Sequence, residues 1–127
     1  MSATVSWYEQ DRIILVNIEG VLLKEEIDPA NQSVAQYVRE GQAPVHLIID
    51  ALRLDKFPLE LKQFSGARSY MREPNMGKIA VISKQSVVVR FFASVLTQAA
   101  HIEMKMFDTL DEGLAFLRRV DGTLKLP

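Results

Sequence analysis

Residues 45–51 read VHLIIDA and residues 78–83 read KIAVIS. Each is a short run rich in β-formers with no turn residue inside it. That is the pattern of a strand covered on both faces, as in the centre of a parallel sheet, rather than on one. A doubly covered strand needs helices on its sheet, and the segments flanking these two runs carry helical spacing.

Upstream, Val5–Tyr8 and Arg12–Ile18 are strand-like runs separated by Glu9, Gln10 and Asp11, a spacing that predicts a β-hairpin with a short polar turn. Gly20 ends the second run. Asp28 and Pro29 read as an N-cap and first helical position, Val34, Tyr37 and Val38 share one face, and Gly41 with Pro44 stops the helix. Beyond Asp50, Ala51–Phe57 reads as a loop and Pro58 opens a helix to about Arg72, which Glu73, Pro74 and Asn75 break. Ser86 caps a helix from Val87 to Ala100. Ile102–Phe107 then alternates apolar and polar residues, as a strand at a sheet edge does. Thr109 and Glu112 form a capping box for a last helix with Leu110, Leu114, Phe116, Leu117 and Val120 on its apolar face, closed by Gly122. Residues 123–127 read as a frayed tail. The order β, β, α, β, α, β, α, β, α predicts one α/β domain. Its expected sheet is mixed but largely parallel, of about five strands, opening with an antiparallel hairpin and carrying four main helices.

Composition narrows the chemistry. The 127 residues are 48% hydrophobic and include no cysteine, which excludes disulfides, thiolate metal sites and a cysteine nucleophile. Net charge is −1, so no nucleic-acid partner is expected. No run reaches the length of a transmembrane helix and no secretory leader is visible, so the expected address is the cytoplasm. The six glycines are too far apart for a dinucleotide fingerprint or a P-loop, and no cofactor is expected. His46 and His101 have no second ligand at metal spacing and read as structural. No serine lies in a nucleophile elbow, and capping explains Ser83 and Ser86 beside Lys84 more cheaply than a Ser-Lys pair. Charge is unevenly spread. From Asp50 to Arg90 eight basic residues face four acidic ones, net +4, and the remainder is net −5.

The order of elements, together with Gly20, VHLIIDA at 45–51, KIAVIS at 78–83 and FDTLDEGLAFL at 107–117, resembles the STAS domain. It is closer still to the SpoIIAA-like group, related to the CRAL-TRIO lipid-binding fold. The resemblance implies a non-enzymatic module that binds a protein partner or an apolar ligand. The best-known members are anti-sigma-factor antagonists, switched by phosphorylation of a serine in the loop after the strand that ends here at Asp50. That loop reads ALRLDKFP in this chain, without Ser or Thr, and the nearest downstream serine, Ser65, falls inside the predicted helix. The phosphorylation switch therefore does not carry over.

Two regions are expected to make contacts. At the carboxyl ends of the strands, where open α/β sheets place their ligands, stand Asp50, Arg53, Lys56, Ser83 and Lys84. For Asp50 the preferred reading is a carboxylate that orders its own loop by accepting backbone N–H bonds. The second region lies between the helices at 58–72 and 87–100, with Phe64, Arg68 and Tyr70 on one and Phe91, Phe92 and Val95 on the other. Apolar residues cover an arc of about 200° on the helix at 87–100, where packing on one sheet needs little more than 100°. Neighbouring helices, a second copy in a homodimer, or a lipid-like ligand would cover the surplus. The alternative function is an enzyme that acts on a small anionic substrate through Asp50, Arg53 and Lys84. A third is a partner in a regulatory kinase or sigma-factor system.

Overall fold

The chain opens with an antiparallel hairpin, β1 (Ala3–Glu9) and β2 (Ile13–Val21), paired from Ala3 against Ile18 to Trp7 against Ile14. Asp11 takes a left-handed φ of 67° in the connecting turn, a conformation that an Asp side chain tolerates. The computed structural model describes residues 2–56, 68–83 and 103–124. Helix α1 (Lys24–Glu40) leads into β3 (Val45–Lys56), a single turn α2 (Arg68–Met71) precedes β4 (Met76–Ile82), and β5 (Met104–Phe107) leads to α3 (Leu110–Val120). The five strands lie in the order β1-β2-β3-β4-β5, with every pair after the hairpin parallel.

The two decisive runs are buried on both faces. Leu47, Ile49, Ile79 and Val81 pack toward Val34, Val38, Tyr70 and Met71 in one core layer. Ile48, Ala80 and Ile82 pack toward Leu114, Phe116 and Leu117 of α3 in the other. Full burial of a side chain of this size stabilises the fold by about 1.5 to 3 kcal/mol, so two dry layers account for why these strands tolerate no polar face.

The mixed α/β sheet agrees with expectation, but the helix count does not. Among the described residues α1 and α3 are the two helices of more than one turn, against four expected. The helix at 58–72 is represented only by its last turn, and the helix at 87–100 lies outside the described residues. Helix α1 also begins at Lys24, ahead of the expected Asp28 cap, and carries Pro29 inside. The Glu26 carboxylate accepts hydrogen bonds from the Leu23 N–H at 3.0 Å and the Ser2 N–H at 2.9 Å, and these bonds hold its pKa below the ordinary value. They satisfy a donor at the helix start that no polar N-cap serves. Helix α3 is capped as expected: the Thr109 hydroxyl accepts from the Glu112 N–H at 3.2 Å and donates to the Glu112 carboxylate at 3.0 Å.

Strand β3 runs six residues beyond Asp50, through the stretch expected to be a loop. Its extension follows β2, with Glu19 paired to Arg53, Gly20 to Leu54 and Val21 to Lys56. Register shifts interrupt this stretch, and Gly20 beside one of them has a φ of +68°. Glycine enters the left-handed region without the Cβ penalty, which lets the strand pass the irregularity.

Candidate functional site

The two ends of the sheet carry different chemistry. At the amino ends of β3 and β4, His46 is 2% exposed, and both its ring nitrogens are engaged. Nδ1 accepts from the Lys78 N–H at 2.9 Å, so Nε2 bears the proton and donates to Asp121 Oδ2 at 2.8 Å. The same oxygen accepts from Arg12 Nη2 at 2.8 Å, and Asp121 Oδ1 accepts from the Thr123 N–H at 2.9 Å and the Thr123 hydroxyl at 2.5 Å. Thr123, first residue of the stretch read as frayed, is thus tied to the sheet.

Burial lowers the His46 pKa more strongly than its bond to Asp121 raises it, and the charges of Arg12 and Lys78 add to the lowering. For Asp121, burial pulls upward, but hydrogen bonds from His46 and Thr123 outweigh it and hold the carboxyl well below the ordinary carboxylate range. A groove of about 640 Å³ opens beside this cluster, walled by Pro44, Met71, Arg72, Gly77 and Lys78 as well as His46. The imidazole has no free lone pair to offer into it. Its nitrogens are spent on holding α3 and the Thr123 segment against the strand starts. Among the described residues no three His, Cys, Asp or Glu side chains gather as a metal site.

At the carboxyl end of β2 the side chains are open. Val21 and Leu23, at the exit of β2, are 49% and 52% exposed, although both are large and apolar. Arg53 on β3 pairs with Glu19 on β2 at 3.3 Å, both well exposed.

Of the residues expected to form a site, Asp50, Arg53, Tyr70 and Ser83 have described side chains. Asp50 is half-buried within β3, not at a strand terminus, and its Oδ1 accepts from the Leu52 N–H at 3.1 Å. That is the local, loop-ordering arrangement of an Asx-type turn, here at a strand irregularity. Asp50 and Arg53 therefore engage different partners. Lys56 ends β3 and Arg68 begins α2, and only their backbones are described. Tyr70 lies in the core at 4% exposure, and burial pushes its phenol pKa up. Ser83 is 3% exposed and its N–H bonds the Phe107 carbonyl at 3.0 Å, while its hydroxyl makes no hydrogen bond among the described residues. Phe64, Lys84, Phe91, Phe92 and Val95 lie outside the described residues, and so does most of the apolar surface expected between the helices at 58–72 and 87–100. The sequence reading missed Val21 and Leu23, whose signal is the apolar run VLL directly after a glycine, where a strand should already have given way to polar loop. It also missed Asp121 as the partner of His46.

A family model described as SpoIIAA-like matches residues 13–118. The chain belongs to the SpoIIAA-like family. Among solved structures, it resembles an uncharacterized protein of the DUF3478 family with a SpoIIAA-like fold from Shewanella loihica PV-4. That match has a TM-score of 0.63 and 15% identity, covering 91% of each chain. It also resembles the anti-sigma factor antagonist SpoIIAA in its unphosphorylated form, with a TM-score of 0.61 and 12% identity over 97% of this chain and 99% of that one. At such identities the likeness is one of fold. None of the curated proteins matches the sequence. No helix among the described residues is long and apolar enough to cross a membrane. In this chain the exit of β2 offers exposed apolar side chains, with an exposed ion pair between Glu19 and Arg53 beside them.

Proposed function

We propose that this SpoIIAA-like domain is a non-enzymatic regulatory module that docks a protein partner on the carboxyl-end rim of its sheet. The observation that carries the reading is the exposure of Val21, on the same strand as the Glu19 that pairs with Arg53, and of Leu23 just beyond that strand. Large apolar side chains rimmed by charge mark interaction surfaces. The structural likeness to a protein named as an anti-sigma factor antagonist supports a protein as the occupant. The stretch from Ala51 to Lys56 contains no Ser or Thr, so docking in this chain works without phosphorylation there.

A photo-crosslinking side chain placed at Leu23 in cells should capture one protein, which a crosslinker at Gln36 on the exposed back of α1 does not. With both proteins purified, Leu23→Asp and Arg53→Glu should each weaken the complex by about tenfold or more, the scale of an interface hot spot, with unchanged thermal melting. A captured protein whose affinity ignores both substitutions overturns the reading, as does equal capture at Gln36.

A further inference from the structure

The two edges of the sheet are built differently. β5 is four residues long, and its side of the sheet is charged, with Glu103 within 3.7 Å of both Lys78 and Lys105. Short length and charge are the ordinary means of keeping an edge from pairing with another chain. β1 has neither. It is seven residues long, and from Ala3 to Tyr8 it contains no charge and no proline.

The outward side of β1 follows from its register. The Glu19 N–H donates to the Ser2 carbonyl at 2.8 Å, so Ser2 is in a hydrogen-bonded pair with β2, and by alternation so are Thr4 and Ser6. The backbone groups of Ala3, Val5 and Trp7 therefore face away from the sheet. Among the described residues one hydrogen bond reaches them, from the Tyr37 hydroxyl to the Val5 carbonyl at a long 3.4 Å. A cleft of about 270 Å³ runs alongside, between β1 and the small residues Pro29, Ala30 and Ser33 of α1.

We infer that β1 is a self-association edge, on which two copies of the chain pair antiparallel about a two-fold axis at Val5 and join their sheets into one. In that register Val5 faces its own copy and Trp7 of each chain faces Ala3 of the other, a large side chain opposite a small one. Trp7 is already half-buried against Tyr37, with ring centroids 5.1 Å apart, and its other side meets the partner strand. On the opposite face exposed Thr4 stands across from Ser6. No like charges meet, which makes the strand complementary to itself. A charged peptide would gain no ion pair from Ala3–Tyr8. This edge runs along β1 and reaches the rim only at its start, where the Ser2 hydroxyl donates to the Val21 carbonyl at 2.6 Å.

Sedimentation velocity of the full chain over a concentration series, with amide hydrogen exchange, tests the assignment. The expected result is a dimer with slow exchange at the Ala3, Val5 and Trp7 amides. Thr4 and Ser6 are exposed, so their substitution leaves the monomer fold intact. Thr4→Lys with Ser6→Lys places lysines opposite each other across the axis and should raise the dissociation constant about tenfold. Thr4→Lys with Ser6→Glu places opposite charges there and should restore the dimer. A chain that is monomeric at all concentrations overturns the inference and leaves the edge to a different extended peptide. So does a dimer that survives the double lysine variant with fast exchange at Val5.

Discussion

The polar side chains at the amino ends of β3 and β4 are spent on one another, whereas the large apolar side chains at the exit of β2 stand exposed. His46, Asp121 and Arg12 would look like catalytic machinery if read as a residue list. The imidazole and the carboxylate are saturated, however, the first by Lys78 and Asp121 and the second by four donors. Val21, Leu23 and Arg53, by contrast, face solvent. A titratable side chain whose bonds are all made inside the fold stabilises that fold. Surface left unpaired is what remains for a partner.

The contrast can be broken first at the amino end. A Cβ on Gly77 would lie 2.5 Å from His46 Nδ1 and 2.7 Å from its Cε1. Gly77→Ala should push the ring off the Lys78 N–H and Asp121. The cost should be on the order of 3 kcal/mol in urea unfolding, because buried polar groups are left unpaired. Partner binding at the rim should persist in whatever fraction remains folded.

A pH titration sharpens the same point with a smaller effect. The folded His46 binds a proton less tightly than the ordinary 6.5 of the unfolded chain, so below pH 6.5 the unfolded state takes up more protons and stability should fall. His46 is hemmed in by Arg12 from the hairpin turn, by Lys78 from β4 and by Asp121 beyond α3. Protonation would put a second N–H against the Lys78 N–H. Asp121 adds a further loss as the pH falls below its unfolded value of 3.8. Urea midpoints measured between pH 7.5 and pH 5 should decline in the wild type and much less in His46→Gln. Equal slopes would mean that the imidazole titrates freely.

The smallest effect belongs to the open end. Arg53→Ala should change stability by less than about 0.5 kcal/mol, because an exposed ion pair gains little over its hydration. A larger change in the thermal midpoint would place Arg53 among the residues that hold the fold, and the two ends would no longer differ.

Several parts of this fold were legible because they depend on near neighbours. The hairpin follows from two β-runs and a three-residue polar gap, and the α3 cap from Thr109 and Glu112, three residues apart. The early start of α1 was hidden because the N–H that helps anchor Glu26 belongs to Ser2, 24 residues away. The reach of β3 to Lys56 was hidden because Arg53, Asp55 and Lys56 are not strand formers, and only the ladder with β2 makes them one. The partners of the expected site residues were hidden for the same reason: Asp50 and Arg53 are close in sequence, but one accepts from the Leu52 N–H and the other pairs with Glu19 on the neighbouring strand.

By itself the sequence determined the layered α/β architecture and the family. Runs of β-formers without turn residues can be stable only between two apolar layers, and the missing serine after Asp50 is a matter of composition. The tertiary structure alone decided which polar residues are spent and which edges are open. His46 meets Asp121 across 75 residues, and β1 has a free side because nothing in the chain continues the sheet beyond it among the described residues. Those outcomes depend on distances in space between groups far apart in the chain, which local periodicity does not encode.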